Sequence, residues 1–243
     1  MYTLESHGFQ KFKVPKKNLS HLNEFKNLVE NTSNSIINKK QKLNNIHKHN
    51  FDKEDFNSFR LKIFNQINNK KNIHEIIFRI YDDLIVSLIG KDICVQKNIN
   101  FSIQRPFDQQ RAPFHKDSPP NSPYEIVVWL PLVNCFKDMS MYLFDIKKSK
   151  KIDHFLSKSN GISHDTYAKK NGVCCECKFG ELLIFSAPTY HYIPVNSQKD
   201  SRWSINCRYK NTFSPNGMKG YLDFFEPLRY SEITKLAIKY EEK

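Results

Sequence analysis

The sequence predicts a mainly β protein, a jelly roll buttressed by helices from its N-terminal third. Three observations carry this. Up to about residue 92 the apolar residues recur at helical spacing. From residue 93 the period drops to two, in short runs rich in β-branched and aromatic residues. Turn signals such as "NG", "FG" and "SPNG" bound several of those runs. At 243 residues the chain suits one large domain. The expected division is a helical layer over 1–92, a β core over 93–210, and an extension with a closing helix over 211–243.

The helical third contains three amphipathic stretches. "LSHLNEFKNLVENTSNSIINKK" aligns Leu19, Leu22, Phe25, Leu28 and Val29, and "DKEDFNSFRLKIFNQI" aligns Phe56, Phe59, Ile63 and Phe64. "NIHEIIFRIYDDLIVSLIGKD" reads as one strong helix, opened by Asn72 and closed by Gly90. "NKKQKLNNIHKHN" is a polar linker. The expected strands are "ICVQKNINFSIQRP", "YEIVVWLPLVNC", "MSMYLFDI", "VCCECKF", "ELLIFSAP" and "SRWSINCRYKN". "SKKIDHFLSKSNG" is a helical insertion among them, "GISHDTY" a loop, and "SEITKLAIKYEEK" a final helix. "GYLDFFEPLRY" is aromatic enough to serve as a lid or to cover a sheet edge.

The net charge is +13, yet only seven of the 38 basic residues are arginine. The lysines are scattered among asparagines and isoleucines, a solvated surface rather than a nucleic-acid footprint. What the charge leaves open is attraction of a small anionic substrate. No apolar stretch has the length of a membrane helix, and "MYTLESHGFQKFK" lacks a signal-peptide core. The six cysteines therefore read as free thiols in a reducing, cytoplasmic compartment. "CCEC" lacks the second pair that a zinc site needs.

The chemistry concentrates in "APFHKDSPP". In extended chain, residues two apart share a face, so His115 and Asp117 can ligate one ion. A third ligand must come from a distant strand. Most of the nine histidines lie in helices, linkers or tails. His191 follows "ELLIFSAP" at a strand edge and is the expected partner. Two histidines and one carboxylate with open positions form the facial triad of non-haem Fe(II) oxygenases. The open face must then hold dioxygen and a bidentate cosubstrate such as 2-oxoglutarate. The far carboxylate of that keto acid calls for an arginine fork. Arg202 lies eleven residues past His191, and alternation puts it on one face with Ser204, Asn206 and Arg208. Arg202 and Ser204 are the expected clamp, with Arg208 as a second candidate or a substrate contact.

"FHKDS", "YEIVVWLPL" and "FGELLIFSAPTYHYIPVNSQKDSRWSINCR" resemble the Fe(II)/2-oxoglutarate-dependent dioxygenases, in particular the phytanoyl-CoA-hydroxylase-like branch with its bacterial carbohydrate-cluster members. The resemblance spans roughly residues 93–210. It implies a double-stranded β-helix, metal ligands at His115, Asp117 and His191, and a cosubstrate clamp at Arg202 and Ser204. It also implies a polar cosubstrate contact at Gln104. Retention of Asp117 favours hydroxylation, desaturation or epimerisation over halogenation. Ile193 stands where relatives often carry a polar residue, and "YLFDIKKSKK" lacks their small glycine turn. Arg105 and Arg111 flank the mouth as anionic-substrate contacts or solvated charges. Trp129 is core or a pocket wall. The implied substrate is a sugar or sugar-containing intermediate. Alternatives are an acyl thioester, an amino acid, or a catalytically silent jelly roll that binds carbohydrate.

Overall fold

The computed structural model describes residues 2–51, 53–109, 112–158, 161, 163–220 and 222–241. A one-turn helix α1 (Leu4–His7) leads into strand β1 (Phe9–Lys13). The helical layer follows as α2 (Leu19–Ile37), α3 (Lys53–Asn68), α4 (Ile73–Phe78) and α5 (Asp82–Ile89). The helix expected over 72–92 is thus two helices. The break falls where Ile80 N and Tyr81 N close tight turns onto Ile77 O and Phe78 O. Asn18 Nδ2 donates to Ile80 O at 3.3 Å, and Tyr81 turns inward to share a 2.8 Å hydrogen bond with the Tyr209 hydroxyl. Asn72 sits at φ +60° and makes no side-chain cap, whereas Gly90 does end α5.

Among the described residues, ten strands form two antiparallel sheets. After β1 come β2 (Ile93–Gln96), β3 (Asn100–Gln104), β4 (Ile126–Pro131), β5 (Tyr142–Leu143) and β6 (Val173–Cys174). Then follow β7 (Glu181–Ser186), β8 (His191–Tyr192), β9 (Arg202–Asn211) and β10 (Phe225–Arg229). The large sheet runs β1-β7-β4-β9-β2-β10, with β3 beside the first half of β9; the small sheet runs β6-β5-β8. This is a double-stranded β-helix with flanking helices, as the sequence predicts. Within the part expected to be a helical layer, Phe9–Lys13 instead forms edge strand β1, paired with β7 from Phe9↔Phe185 to Lys13↔Glu181.

Strand β9 shows how alternation divides the interior. Trp203 and Tyr209 face the helices, Trp203 edge-on to Phe59 and Tyr209 against Phe78 and Tyr81. Arg202, Ser204, Asn206 and Arg208 point the other way, between the sheets. Between β5 and β6 the chain leaves the small sheet as α6 (Ser149–Ser157) and α7 (His164–Asn171). α7 replaces the expected loop because Ser163 Oγ caps it, accepting from Thr166 N at 3.2 Å. "GYLDFFEPLRY" supplies β10, which covers the edge of β2. α8 (Glu232–Glu241) closes the chain, and no described helix is long and apolar enough to cross a membrane.

Gly8 joins the first strand to the site. It sits at φ +84°, and a Cβ there would come within 2.5 Å of Thr189 Oγ1. That hydroxyl donates to Gly8 O at 3.0 Å, two residues before His191. Gly8→Ala combines left-handed strain with a clash, so unfolding in urea should show a loss of about 1–3 kcal/mol.

Candidate metal centre

His115 and His191 face each other across the open side of β8. Each backbone N–H donates to the other's carbonyl, at 3.2 and 2.9 Å, and the ring centroids stand 4.1 Å apart. Their neighbours Phe114 and Tyr192 stack together on the outside of the small sheet. Alternation therefore turns His115, Asp117 and His191 inward. His115 Nδ1 lies 2.8 Å from Pro113 O, and His191 Nδ1 lies 3.1 Å from Thr189 O. A carbonyl only accepts, so Nδ1 carries the proton in both rings and each Nε2 keeps its lone pair. The Asp117 turn is sewn to the end of β7, with Asp117 N and Ser118 N donating to Ala187 O at 3.0 and 3.1 Å.

Asp117 is nearly buried, and its two oxygens do different work. Arg208 Nη2 and Nε donate to Oδ2 at 2.8 and 3.3 Å, while Oδ1 stands 4.0 Å from His115 Nε2. Burial opposes ionisation, but Arg208 first, then the two histidines, hold the carboxyl below its ordinary value. Gln96 Oε1 in turn accepts from Arg208 N and Nη1 at 3.1 and 3.0 Å. One ligand atom from each of His115, Asp117 and His191 lies within 4.8 Å of the others. Two neutral imidazoles and one ionised carboxylate converging from one side suit a divalent metal with open positions opposite.

The rest of the interior face of β9 forms a second feature. Arg202 is fully buried, with a single 3.5 Å contact from Nη1 to Ser140 O and its guanidinium 5.3 Å over the Trp129 ring. Arg202 Nε and Nη2, Trp129 Nε1 and Ser204 Oγ are all buried without a partner. Burial pushes the guanidinium down to about 10, so it remains cationic at neutral pH. A buried cation with two idle donors, beside an idle indole N–H and hydroxyl, has the donor chemistry an anion would satisfy.

The sequence-predicted residues sort accordingly. His115, Asp117 and His191 come together, and Arg202, Ser204 and Trp129 carry the idle donors. Gln104 pairs with Arg202 across β3 and β9, its Nε2 bound to Pro194 O at 3.0 Å and its Oε1 unpartnered. Arg208, expected as a second clamp candidate or a substrate contact, has its fork engaged by Asp117 and Gln96. Arg105 is stacked 4.0 Å over Phe56 against the helical layer, and Arg111 lies outside the described residues. Sequence reasoning missed Gln96, whose signal was an amide in the apolar strand "ICVQ". It also missed buried Lys210, which extends the polar face of β9 by one more step.

No protein-family model matches the chain, and no curated protein matches it in sequence. Solved structures do share its fold. A non-haem monooxygenase, ThoJ in its apo form, superposes with a TM-score of 0.57 at 14% identity, covering 94% of this chain and 83% of that one. HygX from Streptomyces hygroscopicus, solved with iron bound, gives 0.54 at 9% identity over 90% and 88%. EvdO2 from Micromonospora carbonacea var. aurantiaca gives 0.50 at 10% identity over 94% and 91%.

Burial above all pushes His191 down to about 4. Its folded value lies below the unfolded one, so the unfolded chain binds the extra proton between about pH 6.5 and 4. Metal-free protein should therefore lose stability as pH falls through that window, by up to about 3 kcal/mol from this group. Urea unfolding across pH 7.5–4 checks this, and His191→Asn should flatten the slope.

Proposed function

We propose that this chain is an Fe(II)- and 2-oxoglutarate-dependent oxygenase that hydroxylates a small polar molecule. The observation that carries the reading is the pairing of the two features above. A converging His-Asp-His set and a buried arginine line one interior, and among the described residues the arginine meets no carboxylate. Other carboxylates have chemistry of their own nearby: Glu125, for instance, accepts from Asn121 Nδ2 and Ser122 N at 2.6 and 2.8 Å. A dicarboxylate with a chelating end and a free end fits both features at once.

His115, Asp117 and His191 would hold the ion, with Arg208 keeping Asp117 Oδ2 occupied so that Oδ1 remains on the His115 side. Bound Fe(II) with 2-oxoglutarate and dioxygen supplies the oxidising chemistry that replaces a C–H bond by C–OH. Arg202, Ser204 and Trp129 would orient the far carboxylate of the cosubstrate. Phe185, whose ring lies 4.9 Å from that of His191, walls the histidine from solvent.

For the substrate we propose a sugar or sugar-containing intermediate, handled in the cytoplasm. The support is the resemblance of the motif stretches and two buried acceptors, Gln104 Oε1 and Asn206 Oδ1, that suit hydroxyl donors. The six cysteines are free thiols, in line with a reducing compartment. The partner proposed is a small molecule and not nucleic acid.

Calorimetric titration of 2-oxoglutarate into Mn(II)-loaded protein tests the clamp. Truncating one member of a buried charge pair costs about 2–5 kcal/mol, so Arg202→Ala should weaken binding roughly 30-fold or more. An Arg202→Ala protein that still binds 2-oxoglutarate as tightly as the wild type would contradict the clamp.

A further inference from the structure

The small sheet that carries the histidines is very short. Strands β5, β6 and β8 each have two residues, and His115 joins β8 through a single bridge. Ladders of that length fix neither register nor spacing on their own. Yet ligand atoms must be held to within about half an ångström for a site to work. Something outside the sheet has to supply the constraint.

The helical insertion is placed to do so. Residues 114, 116, 190 and 192 flank the ligands and point outward, and all four meet the α6–α7 unit. Phe114 stacks on Tyr192 with centroids 4.8 Å apart and lies edge-on to Phe155 and Tyr167 of the helices. Tyr192 Oη donates to Asp165 Oδ1 on α7 at 2.7 Å. Tyr190 Oη donates to Asp153 on α6, and Lys116 Nζ approaches the same carboxylate at 3.5 Å. The insertion leaves from β5 and returns into β6, so it is anchored in the sheet it grips.

We infer that the α6–α7 insertion is an external clamp that sets the spacing of the metal ligands through two tyrosine–carboxylate bonds, Tyr190–Asp153 and Tyr192–Asp165. Tyr190 and Tyr192 are positioning residues. They act through the backbone of His191 and touch neither metal nor substrate. Aromatic packing supplies the adhesion, and the hydroxyl bonds supply direction, because a hydrogen bond fixes an angle that ring burial leaves free. This rests on the metal reading of the triad.

The test uses the full chain and Co(II) as probe, read by affinity and by the visible d–d spectrum, without turnover. Tyr190→Phe and Asp153→Asn keep ring and volume and remove the bond. Each should weaken Co(II) binding about 10-fold or more and alter the band, as loss of an outer-shell partner does. The double variant should be no weaker than the weaker single, and Tyr192→Phe should act independently in the same direction. Thermal melting of the metal-free variants serves as the structural control. Unchanged affinity and spectrum in Tyr190→Phe and Tyr192→Phe, with or without a lower melting point, would overturn the clamp. So would losses from Tyr190→Phe and Asp153→Asn that add. A wild-type protein that fails to bind Co(II) stoichiometrically would instead overturn the metal reading, and the clamp with it.

Discussion

One ion pair joins the two halves of the sandwich. The Asp117 carboxylate and the Arg208 guanidinium meet at 2.8 Å, both nearly buried, one on the metal turn and the other on the longest strand. Each would be costly to bury alone, and losing one partner strands the other. The pair thereby fixes how the small sheet lies over the large one and which Asp117 oxygen faces the histidines. Gln96 extends the arrangement to β2, so two strands, β2 and β9, converge on the carboxylate of the turn.

That same strand carries a second buried guanidinium with the opposite fate. Arg208 has a protein carboxylate and, among the described residues, Arg202 has none, although both lie on one face six residues apart. The contrast separates a cation with a protein partner from one whose donors stay idle more sharply than charge or burial does. Fold alone would not make the assignment, since a jelly roll hosts many activities. Superposition at 9–14% identity likewise speaks for the architecture, while the orphaned donors speak for the chemistry.

Much of the site was legible because its grammar is local. His115 and Asp117 share a face through strand period, and Arg202 through Arg208 do so over six residues. The engagement of Arg208 was not legible, since it depends on Asp117, some ninety residues earlier in the chain. The break between α4 and α5 was hidden for a similar reason. Its apolar period runs unbroken, and only Asn18 and Tyr209, both distant in sequence, make the turn worthwhile. β1 escaped notice because an edge strand buries one face only and reads as a polar tail. α7 was legible in its cap, Ser163, but its sparse apolar content concealed it.

The central claim is that His115, Asp117 and His191 hold an iron ion that 2-oxoglutarate chelates in the space in front of Arg202. Anaerobic titration of the protein with Fe(II) and 2-oxoglutarate, followed by visible absorption, tests it most directly. A charge-transfer band should grow to one equivalent in the wild type and vanish in His115→Ala. No band in the wild type, or the same band in the variant, would contradict the assignment.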